Sequence, residues 1–368
     1  MKQTKTSSLY RLVAFLLITI VLIGIVGVVA DGARQSDTND QTPPTADQLG
    51  SETDKNDGNS NQQTTQTPLP ELPKYKHYLT GLPTDEQTAS QIPLVYAIDP
   101  TSPLYGVSAS HLTVELATEM GESRMLLYLD QNTSIGKIGA IAPMRAYINK
   151  VASYFGGIQV HNGTDDKLCA TPTDSKSAQI DLSSATKYAY SEGVRELYTN
   201  GQLIASAMEN ARIPTKYASP PTLPFSFYDT PTTLGSSATT VTIPYGKSNV
   251  VSLRYDTLTQ QYRMYRSDEA VVDPLTQEAA AYTNVLVLFC DALTYENADR
   301  TETALDTASG GSGYYLTMGT YQKILWSTDE GGNLVFTDTA GTRLSLNAGA
   351  SYLSFFKVSQ KSDVVLGK

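Results

Sequence analysis

The chain has 368 residues, of which 40% are apolar and 17% charged, with 2 cysteines and 3 histidines. That composition excludes a coiled coil, a fibrous repeat and a polytopic membrane protein. The cysteine count excludes a disulfide-dense mini-domain and a four-cysteine zinc site. A formal charge of -10 argues against nucleic acid as a partner, because phosphate binding needs a basic footprint.

Residues 1–30 read as one unit. Lys2, Lys5 and Arg11 precede an apolar run over 12–30 in which Thr19 is the one polar side chain. At about 1.5 Å of rise per residue such a run nearly matches a hydrocarbon core of about 30 Å. The basic residues lie on its N-terminal side, so the expected topology is a cytoplasmic N-terminus, one transmembrane helix and an extracytoplasmic remainder. A cleaved signal peptide is the alternative, with Val28 and Ala30 as a small-residue cleavage site, although the apolar run is long for one. Residues 31–74 carry few apolar side chains and much Gln, Thr, Asp, Ser and Asn, and read as a solvated linker.

A mixed α/β domain is expected over 75–232. Leu94, Val95, Tyr96, Ala97 and Ile98 form a short apolar run that ends at Asp99 and Pro100, as a buried strand would. Leu112, Val114 and Leu116 alternate with Thr113, Glu115 and Ala117, and a second apolar run over 125–129 makes a hairpin; a helix over 110–120 is the competing reading. Pro143 opens a helix in which Met144, Ile148, Val151 and Phe155 recur at helical spacing, and Gly156-Gly157 stop it. A strand resumes over 158–161, and a second helix is expected over 202–212 with Asn200 near its cap.

Over 238–360 the pattern becomes mostly β. Tyr-containing runs around Val250 to Tyr265 flank a short turn, 285–289 reads as a buried strand, and further strands fall at 313–318, 321–326, 334–337, 343–346 and 351–358. Cys169 and Cys290 either pair or remain buried thiols; the apolar run before Cys290 favours the thiol.

The strong catalytic motifs are absent: no G-x-S-x-G, P-loop, H-E-x-x-H, C-x-x-C or G-x-G-x-x-G occurs. No metal site and no cofactor is expected. The candidate binding residues are Asp99, Glu115, Glu119, Arg124, Arg145 and His161. Asp99 and His161 each end a strand, where ligands gather in open α/β sheets. Glu115 and Glu119 share a face if their segment is extended. Each residue also has a plain structural reading. Asp99 can cap a turn, the two Glu can form a solvated face, the Arg can pair with those acids, and His161 can be a hydrogen-bonded imidazole.

These residues lie within segments that resemble the YerB-like lipoprotein family, a two-domain family of unknown function in Gram-positive bacteria. The likeness runs from Leu79-Thr80-Gly81-Leu82-Pro83 through Ala97-Ile98-Asp99, the Glu115 to Arg124 segment, Ile135-Gly136-Lys137-Ile138-Gly139 and Val160-His161-Asn162-Gly163. It continues in Tyr265-Arg266, Asp273-Pro274, Asn284-Val285, Gly311-Ser312-Gly313 and the closing strands. It implies a two-domain architecture in the cell envelope. The chain departs from the family at Ala142, where a second Arg is typical, and at Arg195, where a His is typical. A membrane helix stands in place of the lipid-bearing Cys.

The resulting expectation is a membrane-tethered extracytoplasmic protein that binds a cell-envelope component or envelope protein through its α/β domain. A wall hydrolase or transferase using Glu115 or Glu119 with His161, and a purely structural spacer, are the competing readings.

Overall fold

The computed structural model describes residues 74–164, 177–193, 196–296 and 301–368. The expected transmembrane helix at 12–30 and Cys169 lie outside the described residues, as does nearly all of the 31–74 linker. No helix among the described residues is long and apolar enough to cross a membrane. The described body is mostly β with few helices, a correction to the balance expected of an α/β N-terminal half.

Within that half the strands of the large sheet are β1 (Leu94–Ile98), β2 (Leu112–Ala117) and β3 (Ser123–Leu129), followed by the helix α1 (Ala146–Tyr154), β4 (Ile158–His161), β5 (Gln179–Asp181) and the helix α2 (Gly201–Ala211). The segment 110–120 is thus strand and turn, not helix. Pro143 lies upstream of α1, whose cap is Arg145. Ile148, Val151 and Phe155 supply the buried stripe, and Gly156 and Gly157 take positive φ values of 69° and 120° that end it. Asn200 caps α2 by accepting from the Leu203 amide at 2.8 Å.

The main later strands are β6 (Thr240–Gly246), β7 (Asn249–Asp256), β8 (Gln261–Arg266), β9 (Asn284–Cys290), β10 (Gly311–Thr317), β11 (Thr320–Thr328), β12 (Leu334–Asp338) and β13 (Ser351–Lys357). β9 to β13 do not form a sheet of their own. An 11-stranded sheet runs β11-β10-β9-β13-β2-β3-β1-β4-β5, with Ser236–Ser237 and β12 both on β11. The join is β13 on β2, a parallel pairing from Ser351 opposite Leu112 to Phe355 opposite Leu116. β6, β7 and β8 belong to a second, 6-stranded antiparallel sheet.

The core follows from this order. β9 lies between β10 and β13, is buried on both faces and reads as a continuous apolar run. Cys290, at its end, is a buried free thiol directed at the Phe356 carbonyl. Burial, with Asp306 and Asp291 nearby, pushes that thiol far up. On the helical side Tyr128 donates to the Ala152 carbonyl at 3.0 Å, fastening α1 to the sheet.

The two sequence regions also meet backbone to backbone. A Cβ placed on Gly246 would overlap the carbonyl oxygen of Gly121, and one on Gly121 would lie 2.8 Å from the Gly246 Cα. Gly246→Ala is therefore expected to cost about 1–3 kcal/mol through overpacking at this crossing. Urea unfolding checks it by a lowered midpoint at unchanged slope.

Candidate functional site

β1, β2, β4, β5, β9 and β13 all run the same way, and β3 runs against them. Their carboxyl ends therefore share one edge of the sheet, the edge at which ligands collect in open α/β sheets. Asp99 follows β1, Glu119 follows β2, Arg124 opens β3, Arg145 caps α1 and His161 ends β4. Five of the six candidates thus come to this edge.

They are paired there. Arg145 donates from both terminal nitrogens to Glu119, at 2.6 and 2.5 Å, and both side chains are largely buried. This is the bidentate fork that makes Arg–carboxylate pairs strong. Arg124 lies 3.6 Å from Asp99, which also accepts from the Thr101 amide and hydroxyl at 3.1 and 2.8 Å. Tyr147, in the first turn of α1, sits beside both arginines. Burial pushes its phenol up to about 12, with Arg145 and Arg124 pulling down and Glu119 pushing up. Lys357, ending β13, is lowered by burial, while the charge of Glu119 opposes the shift.

His161 is buried with both ring nitrogens occupied. Nδ1 meets the Gly163 carbonyl at 2.9 Å and Nε2 meets the Gln179 side-chain oxygen at 3.2 Å. Asp181 stands 3.9 Å from Nδ1 and accepts from the Gly163 amide at 2.7 Å. This is the geometry of a fixed structural imidazole.

Glu115 departs from expectation. β2 ends at Ala117, and Glu119 opens the turn that follows and meets Arg145 at the start of α1. Glu115 points instead at the second region, so the two acids do not share a face. Its side chain is 0% exposed. It accepts from Ser123 at 2.5 Å, from Tyr352 at 2.8 Å, and from the Arg266 Nη2 at 3.0 and 2.9 Å. Arg266 also donates to Asn249, which in turn donates to Ser123 at 2.9 Å. Burial, with the charge of Glu115 added, pushes the Tyr245 and Tyr352 phenols well up, so both stay neutral and Tyr352 serves as a donor to Glu115.

Arg266 is the residue that the sequence reading missed as a site residue. A signal existed: Tyr262 and Met264 are buried along β8, and Arg266 continues their face at period two. Arg266 also lines a cleft of about 610 Å³. Pro100, Thr101, Met120 and Glu122 form one wall, and Asn249, Ser267 and Ala270 join Arg266 on the other. The described residues grouped so that they could hold a metal are His77, His111 and Asp130, at the opposite edge of the sheet.

Comparison with protein families matches residues 79–214 to the N-terminal domain, and residues 241–353 to the C-terminal domain, of the family described as protein of unknown function DUF3048. The chain belongs to this family. Its fold is similar to that in the crystal structure of YerB protein from Bacillus subtilis, with a TM-score of 0.70 and 19% identity over 80% of this chain and 100% of that one. No curated protein matches. The YerB-like resemblance seen in the sequence is thereby established, and family membership brings no known activity with it.

The Glu115–Arg266 pair gives a direct test. Arg266→Met alone leaves a buried carboxylate without its cation and is expected to cost about 3–5 kcal/mol, whereas Glu115→Leu combined with Arg266→Met should recover most of the loss. Urea unfolding of the two variants beside the wild type checks this.

Proposed function

We propose that this family member is a membrane-tethered extracytoplasmic binding protein that takes a cell-envelope ligand into the cleft beside Arg266. The observation that carries the reading is that cleft. It is polar, both family domains contribute walls to it, and it backs onto a guanidinium whose position Glu115 and Asn249 fix. The Arg266 side chain keeps 15% of its surface open. Glu122, Glu269, the hydroxyl groups and the open part of the fixed guanidinium suit a ligand rich in hydroxyls, such as the glycan of a wall fragment. The basic-then-apolar opening over 1–30 supports the tether and the compartment.

The hydrolytic alternative gains nothing from the geometry. Glu115 acts as an acceptor at both oxygens, Glu119 is engaged by Arg145, and His161 faces its own loop and Gln179. General acid–base work needs groups free to exchange a proton with a substrate.

The detergent-solubilised full chain is expected to bind soluble wall glycan-peptide fragments saturably in calorimetry. Ala270→Trp, at an exposed position on the cleft wall, should weaken that binding at least about tenfold, or about 1.4 kcal/mol, at an unchanged melting temperature. No binding, or equal binding by the variant, contradicts the proposal.

A further inference from the structure

Two of the chain's 3 histidines converge on one aspartate, far from the cleft. His111 immediately precedes β2 and Asp130 immediately follows β3, and the antiparallel register of Leu112 opposite Tyr128 sets them side by side. His77 reaches them from the tight turn after Tyr75–Lys76. Its Nε2 lies 3.1 Å from the Asp130 Oδ1, and the His111 Nε2 lies 3.0 Å from Oδ2. The two imidazole centroids are 4.3 Å apart.

We propose that His77, His111 and Asp130 form a binding site for a divalent first-row transition metal, with zinc the best fit. Two imidazole nitrogens and one carboxylate oxygen are the donor set of open zinc sites, which keep a further position for water or a ligand. One candidate atom from each residue lies within 4.8 Å of the others. Zinc bonds of about 2.0–2.1 Å in a tetrahedron separate ligand atoms by about 3.3–3.4 Å, so small side-chain movements suffice. The backbone is already held. The His77 amide donates to the Leu82 carbonyl at 2.8 Å while its carbonyl accepts from Gly81 at 2.7 Å. The His111 amide donates to Tyr128 at 2.9 Å and its carbonyl accepts from Ser351 at 3.0 Å. His77 is buried, while the His111 and Asp130 side chains are 29% and 30% exposed. The site therefore has a fixed floor and an open side through which a metal enters. Calcium and magnesium, which require oxygen ligands, do not suit two imidazoles.

The test uses the full chain in detergent, stripped with a chelator and titrated with zinc chloride. One zinc per chain is expected, with no uptake of magnesium or calcium at this site. Losing a direct ligand should exceed the roughly 10- to 100-fold cost of losing an outer-shell partner. His111→Gln and Asp130→Asn should thus each lower zinc affinity at least about 100-fold, with each variant shown by circular dichroism in chelator to be folded. A second readout needs no variant: in the wild type, one equivalent of zinc should block acylation of His111 by diethyl pyrocarbonate, read by mass spectrometry. Absence of stoichiometric uptake, equal affinity in both variants, or acylation of His111 undiminished by zinc would overturn the proposal.

Discussion

A fully buried glutamate at the centre of a shared sheet is the constraint on which this structure turns. Glu115 lies on β2, the strand where the two sequence regions join, and an ionised carboxylate there is tolerable only with a cation and a full set of donors. Arg266 brings the cation from β8, Tyr352 a donor from β13 and Ser123 another from β3. Two distant stretches of chain must therefore reach the β2–β3 hairpin before the charge is satisfied. That requirement fixes how β13 lies on β2 and how the second sheet packs across it. It also fixes the cleft, because the guanidinium that neutralises Glu115 is part of the cleft wall.

The remaining polar side chains follow a related logic at the carboxyl edge of the parallel strands. Glu119 and Arg145 close one fork and Asp99 and Arg124 form a looser, more exposed pair. His161 is tied to its own loop. These groups brace strand ends and the start of α1 through their mutual pairing. The His77, His111 and Asp130 group stands at the other edge, so the two sites can be altered separately.

Local features of the fold were legible wherever the signal was local. Ile148, Val151 and Phe155 at helical spacing with the Gly156-Gly157 stop gave α1, and Asn200 gave the start of α2. Apolar runs gave β1, β3 and β9. What stayed hidden depends on partners far along the chain. Thr113 and Glu115 alternate with apolar neighbours and so look like a solvated face, yet both are buried against the Tyr282 and Tyr352 hydroxyls. The reading that paired Glu115 with Glu119 assumed that the strand continued, but it ends at Ala117 and Glu119 opens a turn. Likewise, nothing local shows that His77 and His111 would meet across a turn and a strand end.

The most direct test of this account is whether the two regions unfold as one body. Trp326, the single tryptophan, is buried on β11 in the second region, and its fluorescence reports that end of the sheet. Hydrogen exchange at the amides of β1 and β3 reports the other end. With Glu115 satisfied only when both regions are in place, the two probes should give one coincident urea transition. A Trp326 transition completed while β1 and β3 remain protected would contradict it.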